Sequence, residues 1–311
     1  MTTLADLAEL VRAPAALSVP GDVVAGAAAA GALGPRTPAL AGASVLLYWA
    51  GMAANDWADR DLDAVERPER PIPSGRITPA AAVGLAAGLT AAGVGLAAAV
   101  GGRRAAALAV PLAATIWGYD LLAKNTAAGP AVMAACRGLD VLLGASGGRV
   151  TRALPAAVTV AAHTWTVTAL SRREVSGADA ALPMRTLAGT ALVAASAALP
   201  HARRAAASAA DQGGADNEIG GRASRTRSVG VAAVLPAVLA GWYAARYGAA
   251  QAEVIRDPSA GRVRAAVGAG ITGLPALQGA LTARGGAGLL GLAVAAAAPL
   301  GRRLARKVSP T

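Results

Sequence analysis

The 311-residue chain has no phenylalanine, one cysteine, two histidines and two lysines. A lone cysteine, Cys136, excludes an intrachain disulfide and a thiolate metal cluster. His163 and His201 are too few and too far apart in sequence to supply a zinc site. Charge is scarce as well. Only 15% of the residues are charged, against about 25% in an ordinary soluble domain. The N-terminus carries Asp6, Glu9 and Arg12 and lacks a basic stretch followed by an apolar core, so no signal peptide is expected.

Apolar runs are what the chain has in abundance. Hydrophobic residues make up 55% of it, in stretches long enough to cross a hydrocarbon core of about 30 Å. The expected class is all-α, a polytopic transmembrane helical bundle with nine or ten spans. These fall at 16–34, 38–56, 78–100, 104–123, 127–146, 152–171, 180–200 and 228–248. Two weaker candidates follow at 262–281 and 284–300, the former reading equally as an interfacial or half-inserted helix. Residues 1–311 read as one integral-membrane domain, with 201–227 as a flexible loop between helices. The net charge of +11 comes from arginines set between apolar runs, not from an aromatic-studded basic face. That distribution suits helix-end anchoring in a lipid bilayer, and no nucleic-acid partner is expected.

One stretch breaks the pattern. "NDWADRDLDAVERPERPIPSG", residues 55–75, holds six of the eighteen acidic residues. Asn55, Asp59 and Asp63 are spaced i, i+4, i+8, which on a continuing helix stacks them on one face. Carboxylates stacked so closely repel unless a cation lies between them. Hard divalent ions take oxygen ligands, and Mg²⁺ uses one or two carboxylates together with substrate phosphate oxygens. Arg67, Arg70 and Arg76 follow in a loop stiffened by Pro68, Pro71 and Pro73, and arginine forks match phosphate geometry. An acidic ladder followed by an arginine loop at the end of a membrane helix suits a Mg²⁺-bound diphosphate with a hydrocarbon tail. The competing account is an ordinary solvated loop.

Residues 55–77, "NDWADRDLDAVERPERPIPSGRI", resemble the NDxxDxxxD…RPxRPIPSG signature of UbiA-superfamily membrane prenyltransferases. The match keeps Asn55, Asp56, Asp59, Asp63, Arg67, Arg70, Pro71, Ser74 and Gly75. "YDLLAKNTAAGPAVMAACRGLDVLLG" and "LSRREVSG" look most like the EboC-like branch. The resemblance implies helices around a central cavity and Mg²⁺-dependent transfer of a prenyl group from a prenyl diphosphate to an acceptor it does not identify. It also implies a second acidic motif, for which Glu174 and Asp179 in "SRREVSGADAALPMRTL" are the only acids available. Metal ligands would then be Asn55, Asp56, Asp59, Asp63, Glu174 and Asp179, with Asp59, Asp63 and Asp179 central to catalysis. Arg67, Arg70, Lys124 and Arg172 would hold the diphosphate, Lys124 by likeness to the family's Tyr…Lys segment. This second motif is poorer in acid than is typical, so either one ion suffices or Arg172 and Arg173 replace metal charge. A UbiA-type terpene cyclase and a non-catalytic lipid or metabolite carrier remain alternatives. The expected setting is a bacterial cytoplasmic membrane, with the site facing the cytoplasm.

Charges inside apolar spans are functional by default. Asp22, Arg137, Asp140 and Arg185 are such residues. Arg137 and Asp140, at i and i+3, can pair with each other, and Asp120 can pair with Lys124 at i+4. Asp22, Tyr48, Tyr119, Arg137 and His163 are candidates for the cavity or acceptor site. Tyr48 lies two turns before Asn55, and His163 falls on the same helical face as Glu174, although plain packing is the preferred reading for it. Tyr48, Trp117 and Tyr119 could offer π faces to an allylic cation. Trp242, Tyr243 and Tyr247 read as interface anchors.

Overall fold

Gly26 and Gly144 mark a close contact between two helices. A Cβ at Gly26 would lie 1.8 Å from the Val141 carbonyl oxygen, and one at Gly144 would lie 2.0 Å from that of Val23. Two backbones can approach this closely only where neither carries a side chain, which is how membrane helices gain packing without a hydrophobic driving force. A computed structural model describes residues 2–13, 18–179, 181–199 and 222–297. Among them there is no strand.

The helices are α1 (Leu4–Leu10), α2 (Pro20–Ala30), α3 (Thr37–Ala58), α4 (Arg60–Glu66), α5 (Pro79–Gly118) and α6 (Gly129–Gly144). After them come α7 (Val150–Ser171), α8 (Ala181–Ala198), α9 (Arg222–Arg256) and α10 (Ala260–Arg284), then a short apolar α11 (Gly288–Ala297). Neighbours in sequence pack as neighbours in space: α3 along α5, α6 against α7, α9 against α8 and α10. α2 lies against α6, α10, α3 and α7, at the middle of the bundle.

The expected spans at 78–100 and 104–123 are two helical segments within Pro79–Ala123, separated by a kink where Gly102 takes φ 64°, ψ −158°. Only glycine adopts that conformation without strain. Among the described residues, three stretches are long and apolar enough to cross a membrane: Thr37–Ala58, Pro79–Ala123 and Val150–Ser171. α2, by contrast, has 11 residues and is roughly 16 Å long at 1.5 Å per residue, too short to cross alone. The weaker candidate at 262–281 falls within α10. α10 runs for 25 residues, and every residue from Gly273 to Arg284 is buried. Of the loop expected at 201–227, residues 201–221 lie outside the described set, and 222–227 are the first residues of α9.

The core divides around α2 and α6. One apolar cluster joins α2, α6, α7, α8, α9 and α10, with Tyr243 and Tyr247 fully buried in it. Those two tyrosines are therefore not interface anchors. The imidazole Nδ1 of His163 lies 2.7 Å from the Tyr243 hydroxyl, and the ring packs edge-on against both tyrosines. Alanine-rich neighbours leave space that three aromatic rings fill. A second cluster joins α2, α3, α5 and α6 around Leu47, Leu112 and Ile116.

Candidate active site

The acidic stretch does not continue as one straight helix. α3 ends at Ala58, and Asp59 takes φ −90°, ψ 3° before α4 begins. This kink splits the expected ladder in two. Asn55 and Asp59 stay together: Asn55 Nδ2 donates to Asp59 Oδ2 at 3.2 Å. The Lys124 ammonium completes the group, 2.6 Å from Asp59 Oδ1 and 3.2 Å from Asn55 Oδ1. Asp63 instead joins Asp56, two turns earlier, on one guanidinium. Arg70 Nη1 lies 2.7 Å from Asp63 Oδ2 and 3.2 Å from Asp56 Oδ1. Arg12 Nη2 reaches Asp56 Oδ1 at 2.8 Å, and Arg67 Nη1 stands 3.7 Å from Asp63 Oδ1. Both Asp56 and Asp63 are buried.

Lys124 thus pairs across helices with Asp59, not within its helix with Asp120. It follows a π-helical turn, Tyr119–Ala123, closed by the Lys124 N–H donating to the Tyr119 carbonyl at 2.9 Å. Such turns recur at functional sites. Asp120 lies buried in the same turn, and no hydrogen bond or ion pair reaches its carboxylate among the described residues.

Beside these groups is a cavity of about 220 Å³. Asn55, Arg12, Tyr119 and Asp120 give it a polar end, while Tyr48, Met52, Ile116, Met133 and Cys136 line the rest. Of the residues expected at a cavity, Tyr48 and Tyr119 line this one. His163, Asp22 and Arg137 are not on it.

The second acidic motif does not assemble with the first. Asp179 is exposed, and its Oδ1 accepts the Leu182 N–H at 2.9 Å, capping the start of α8. Glu174 is held through its backbone, with its carbonyl accepting from Arg264 Nη1 at 2.7 Å. Partial burial pushes the Glu174 carboxyl above the usual carboxylate range, against the pull of Arg264. Arg172 donates to the Thr126 carbonyl and lies 3.5 Å from that of Lys124, tying this loop to the one behind Lys124. Gly129 leaves room there, since a Cβ would stand 2.9 Å from the Lys124 carbonyl.

Two corrections concern charges inside spans. Arg137 does not pair with Asp140. Its Nε lies 2.8 Å from Asp22 Oδ2, and its Nη2 donates to the Ser18 carbonyl at 3.2 Å. Asp140 accepts from Ser44. Gln278 of α10 donates to both Asp22 and the Ser18 carbonyl at 2.7 Å, in space that a side chain at Gly21 would fill. The Arg137 Cζ sits 5.4 Å above the Tyr48 ring, so the network backs the cavity wall without lining the cavity.

Whether this arrangement suits Mg²⁺ can be judged from what the oxygens already hold. Asn55 Oδ1 and Asp59 Oδ1 converge on the Lys124 ammonium, so they form a two-oxygen cation site. No group of three or more Asp, Glu, His or Cys among the described residues is arranged to hold an ion unaided. The interleaved cations keep the carboxylates apart. That fits an ion completed by phosphate oxygens and water, as is usual for Mg²⁺, and not the larger set of six protein ligands.

A helical bundle with a charged cavity at the ends of α3 and α5 defines a class, and comparison with known proteins gives its family. Residues 18–210 match the UbiA prenyltransferase family, and the chain belongs to that family. Its segments are similar to archaeal proteins named digeranylgeranylglyceryl phosphate synthase. The likeness is 42% identity over 85 residues for that of Natronomonas pharaonis, 27% of this chain and 31% of the relative. For Methanothrix thermoacetophila it is 57% over 49 residues, 15% and 18% of the two chains. The matched segments thus span less than a third of these relatives' lengths. A solved structure concerning digeranylgeranylglyceryl phosphate synthase in membranes shares the fold, with a TM-score of 0.65 and 15% identity over 92% of this chain and 99% of that one. An apo UbiA homologue from Aeropyrum pernix does so at a TM-score of 0.56 and 21% identity, covering 89% and 96%. These relatives do not place the chain in an EboC-like branch, and being archaeal they give no support to a bacterial membrane.

Arg12 and Asp120 are the site residues that sequence reasoning passed over. Arg12 had no spacing signal. Asp120 was assigned to Lys124, although a charge at the end of an apolar span could have marked it.

Proposed function

We propose that this integral-membrane protein transfers a prenyl group from a prenyl diphosphate to a hydroxyl of a glycerophosphate, releasing pyrophosphate in a Mg²⁺-dependent reaction. One observation carries the reading. Asn55 and Asp59 present oxygens to a cation at the edge of a cavity that also receives Arg12. A diphosphate is held by such a pairing of a cation site with a guanidinium, here one that now rests on Asp56 and would be exchanged onto the ligand. The names of the archaeal relatives favour a glycerophosphate acceptor over an aromatic one. The EboC-like likeness of two segments has no part in this choice.

Asn55 and Asp59 would hold the ion, with Lys124 released toward the diphosphate. Arg12 and Arg67 would bind its outer oxygens, while Arg70 keeps Asp56 and Asp63 in place. Bound Mg²⁺ supplies Lewis-acid stabilisation of the departing diphosphate. The prenyl tail would lie among the alanine- and glycine-rich helices, in contact with the bilayer. Glu174 and Asp179 enter this reading only if the loop they share closes over the bound diphosphate. Residues 1–311 would act as one unit.

The test is pyrophosphate release by protein in lipid, given geranylgeranyl diphosphate and geranylgeranylglyceryl phosphate, with and without Mg²⁺. Acceptor- and Mg²⁺-dependent release that Asp59→Asn abolishes is the expected result. Release without acceptor, yielding a cyclic product, would mean a terpene cyclase. Binding of the diphosphate without any release would mean a carrier.

A further inference from the structure

We propose that Asp120 is the group that receives the acceptor's proton, an inference that rests on the prenyl-transfer reading above. Four observations converge on it. Asp120 lines the cavity. It is 6% exposed, and a buried carboxylate with no partner is costly unless a ligand compensates it. The cation nearest in sequence, Lys124, is turned away to Asp59 at 2.6 Å. Finally, the α3 backbone is bare opposite it. A Cβ at Gly51 would lie 3.3 Å from Asp120 Oδ2 and 2.5 Å from Ile116 Cγ2, so glycine lets the carboxylate reach across the cavity mouth.

The diphosphate groups, Arg12 and the Asn55–Asp59–Lys124 cluster, are cationic or cation-bound. Asp120 is the anionic group beside them with no such engagement among the described residues. A diphosphate would be repelled there, whereas a hydroxyl would be attracted as a hydrogen-bond donor. The acceptor oxygen forms a bond to C1 of the prenyl group, the C1–O bond to diphosphate breaks with its electron pair leaving on the diphosphate, and the hydroxyl proton passes to Asp120. Proton transfer to a positioned side chain contributes roughly 10²- to 10⁴-fold.

Asp120→Asn keeps the shape and removes the base. With geranylgeranyl diphosphate and geranylgeranylglyceryl phosphate as probes, acceptor-dependent turnover should fall at least about 100-fold. Binding of geranylgeranyl diphosphate with Mg²⁺ should be unchanged, which also shows that the variant folds. An acceptor analogue whose hydroxyl is made more acidic by neighbouring fluorine should narrow the gap between variant and parent, because it needs the base less. A purely structural role would not move that ratio. Turnover within about 2-fold of the parent would overturn the proposal, as would loss of diphosphate binding or a ratio insensitive to acceptor acidity. If the parent protein itself makes no ether product, the transfer reading fails and the Asp120 assignment falls with it, a result distinguishable because it appears before any mutation.

Discussion

Replacing Arg137 with methionine tests whether the buried network behind the cavity holds the bundle together. Arg137 and Asp22 have side chains 7% and 0% exposed, in contact at 2.8 Å. Methionine fills similar space with no charge. Asp22 would keep only the Gln278 amide, and Asp140, fully buried, only the Ser44 hydroxyl. Removing one partner of a buried pair costs about 3–5 kcal/mol, and loss of the contact over the Tyr48 ring adds up to about 1 kcal/mol. Taking about 4 kcal/mol at roughly 2 °C per kcal/mol for a chain of this size, thermal unfolding in detergent should move down by about 8 °C. Adding Asp22→Asn to the same variant removes the stranded charge and should recover about half of the loss. The two changes would then be strongly non-additive, as expected of residues in contact. A single variant that melts within about 2 °C of the parent, or a double variant whose losses simply add, would show that the pair contributes no net stability and that helix packing alone holds α2 to α6.

Three further outcomes follow from the site and its surroundings. Lys124→Met should weaken binding of geranylgeranyl diphosphate at least about tenfold, since charge-assisted contacts are the strong ones. Its melting temperature should hardly change, because a partly exposed pair contributes at most about 1 kcal/mol; calorimetric binding and unfolding scans together separate the two. Gly51→Val should lower turnover by forcing Ile116 and Asp120 away from α3, and product formation at saturating donor reads that loss directly. Asp6 caps α1 through Thr3 and accepts from Arg76, contacts that hold its pKa down from 3.8 to about 2. A depressed carboxylate stabilises above its unfolded value and loses that contribution as pH falls through the folded one. Protection of the Leu4–Leu10 amides, measured against their intrinsic exchange rates, should therefore hold down to about pH 4 and fall between there and about pH 2.

The acidic stretch was legible because its information is local. Spacing put Asn55 beside Asp59, and the resemblance over 55–77 pointed to the family. The partners were not legible, because a side chain chooses its partner from everything the fold brings near. Nothing in "CRGLD" says that Arg137 prefers Asp22, more than a hundred residues away, to Asp140 three residues on. Geometry decides it: α2 comes so close to α6, through Gly26 and Gly144, that Asp22 meets the guanidinium first. The same holds for Lys124, whose helical neighbour Asp120 loses to Asp59 on another helix. Periodicity also failed at Asp59 itself. A kink of one residue was enough to send Asp63 to Arg70 and dissolve the ladder. His163, for which packing is the preferred reading from sequence, belongs to an aromatic core cluster, with its Nδ1 2.7 Å from the Tyr243 hydroxyl.

Charge balance gives the site its dependence on an incoming cation. As folded, four carboxylates (Asp56, Asp59, Asp63 and Asp120) stand among four cations (Arg12, Arg67, Arg70 and Lys124). Three of the carboxylates are already paired, so the cations are not free charges waiting for a phosphate. A diphosphate entering this neutral mosaic would have to pull Lys124 off Asp59 and Arg12 off Asp56, leaving Asp59 without a cation and Asp56 with Arg70 alone. In a poorly screened cavity that exchange gains little, because each new ion pair is made by breaking an old one. A divalent ion changes the balance: it takes over Asn55 and Asp59 in place of the ammonium and brings the phosphate oxygens as its remaining ligands. The interleaving that scatters the carboxylates is therefore what would couple donor binding to Mg²⁺. It follows that Lys124→Met, although it weakens the diphosphate, should strengthen Mg²⁺ binding to the empty site. A titration showing equal or weaker Mg²⁺ affinity in that variant would place the ion away from Asn55 and Asp59.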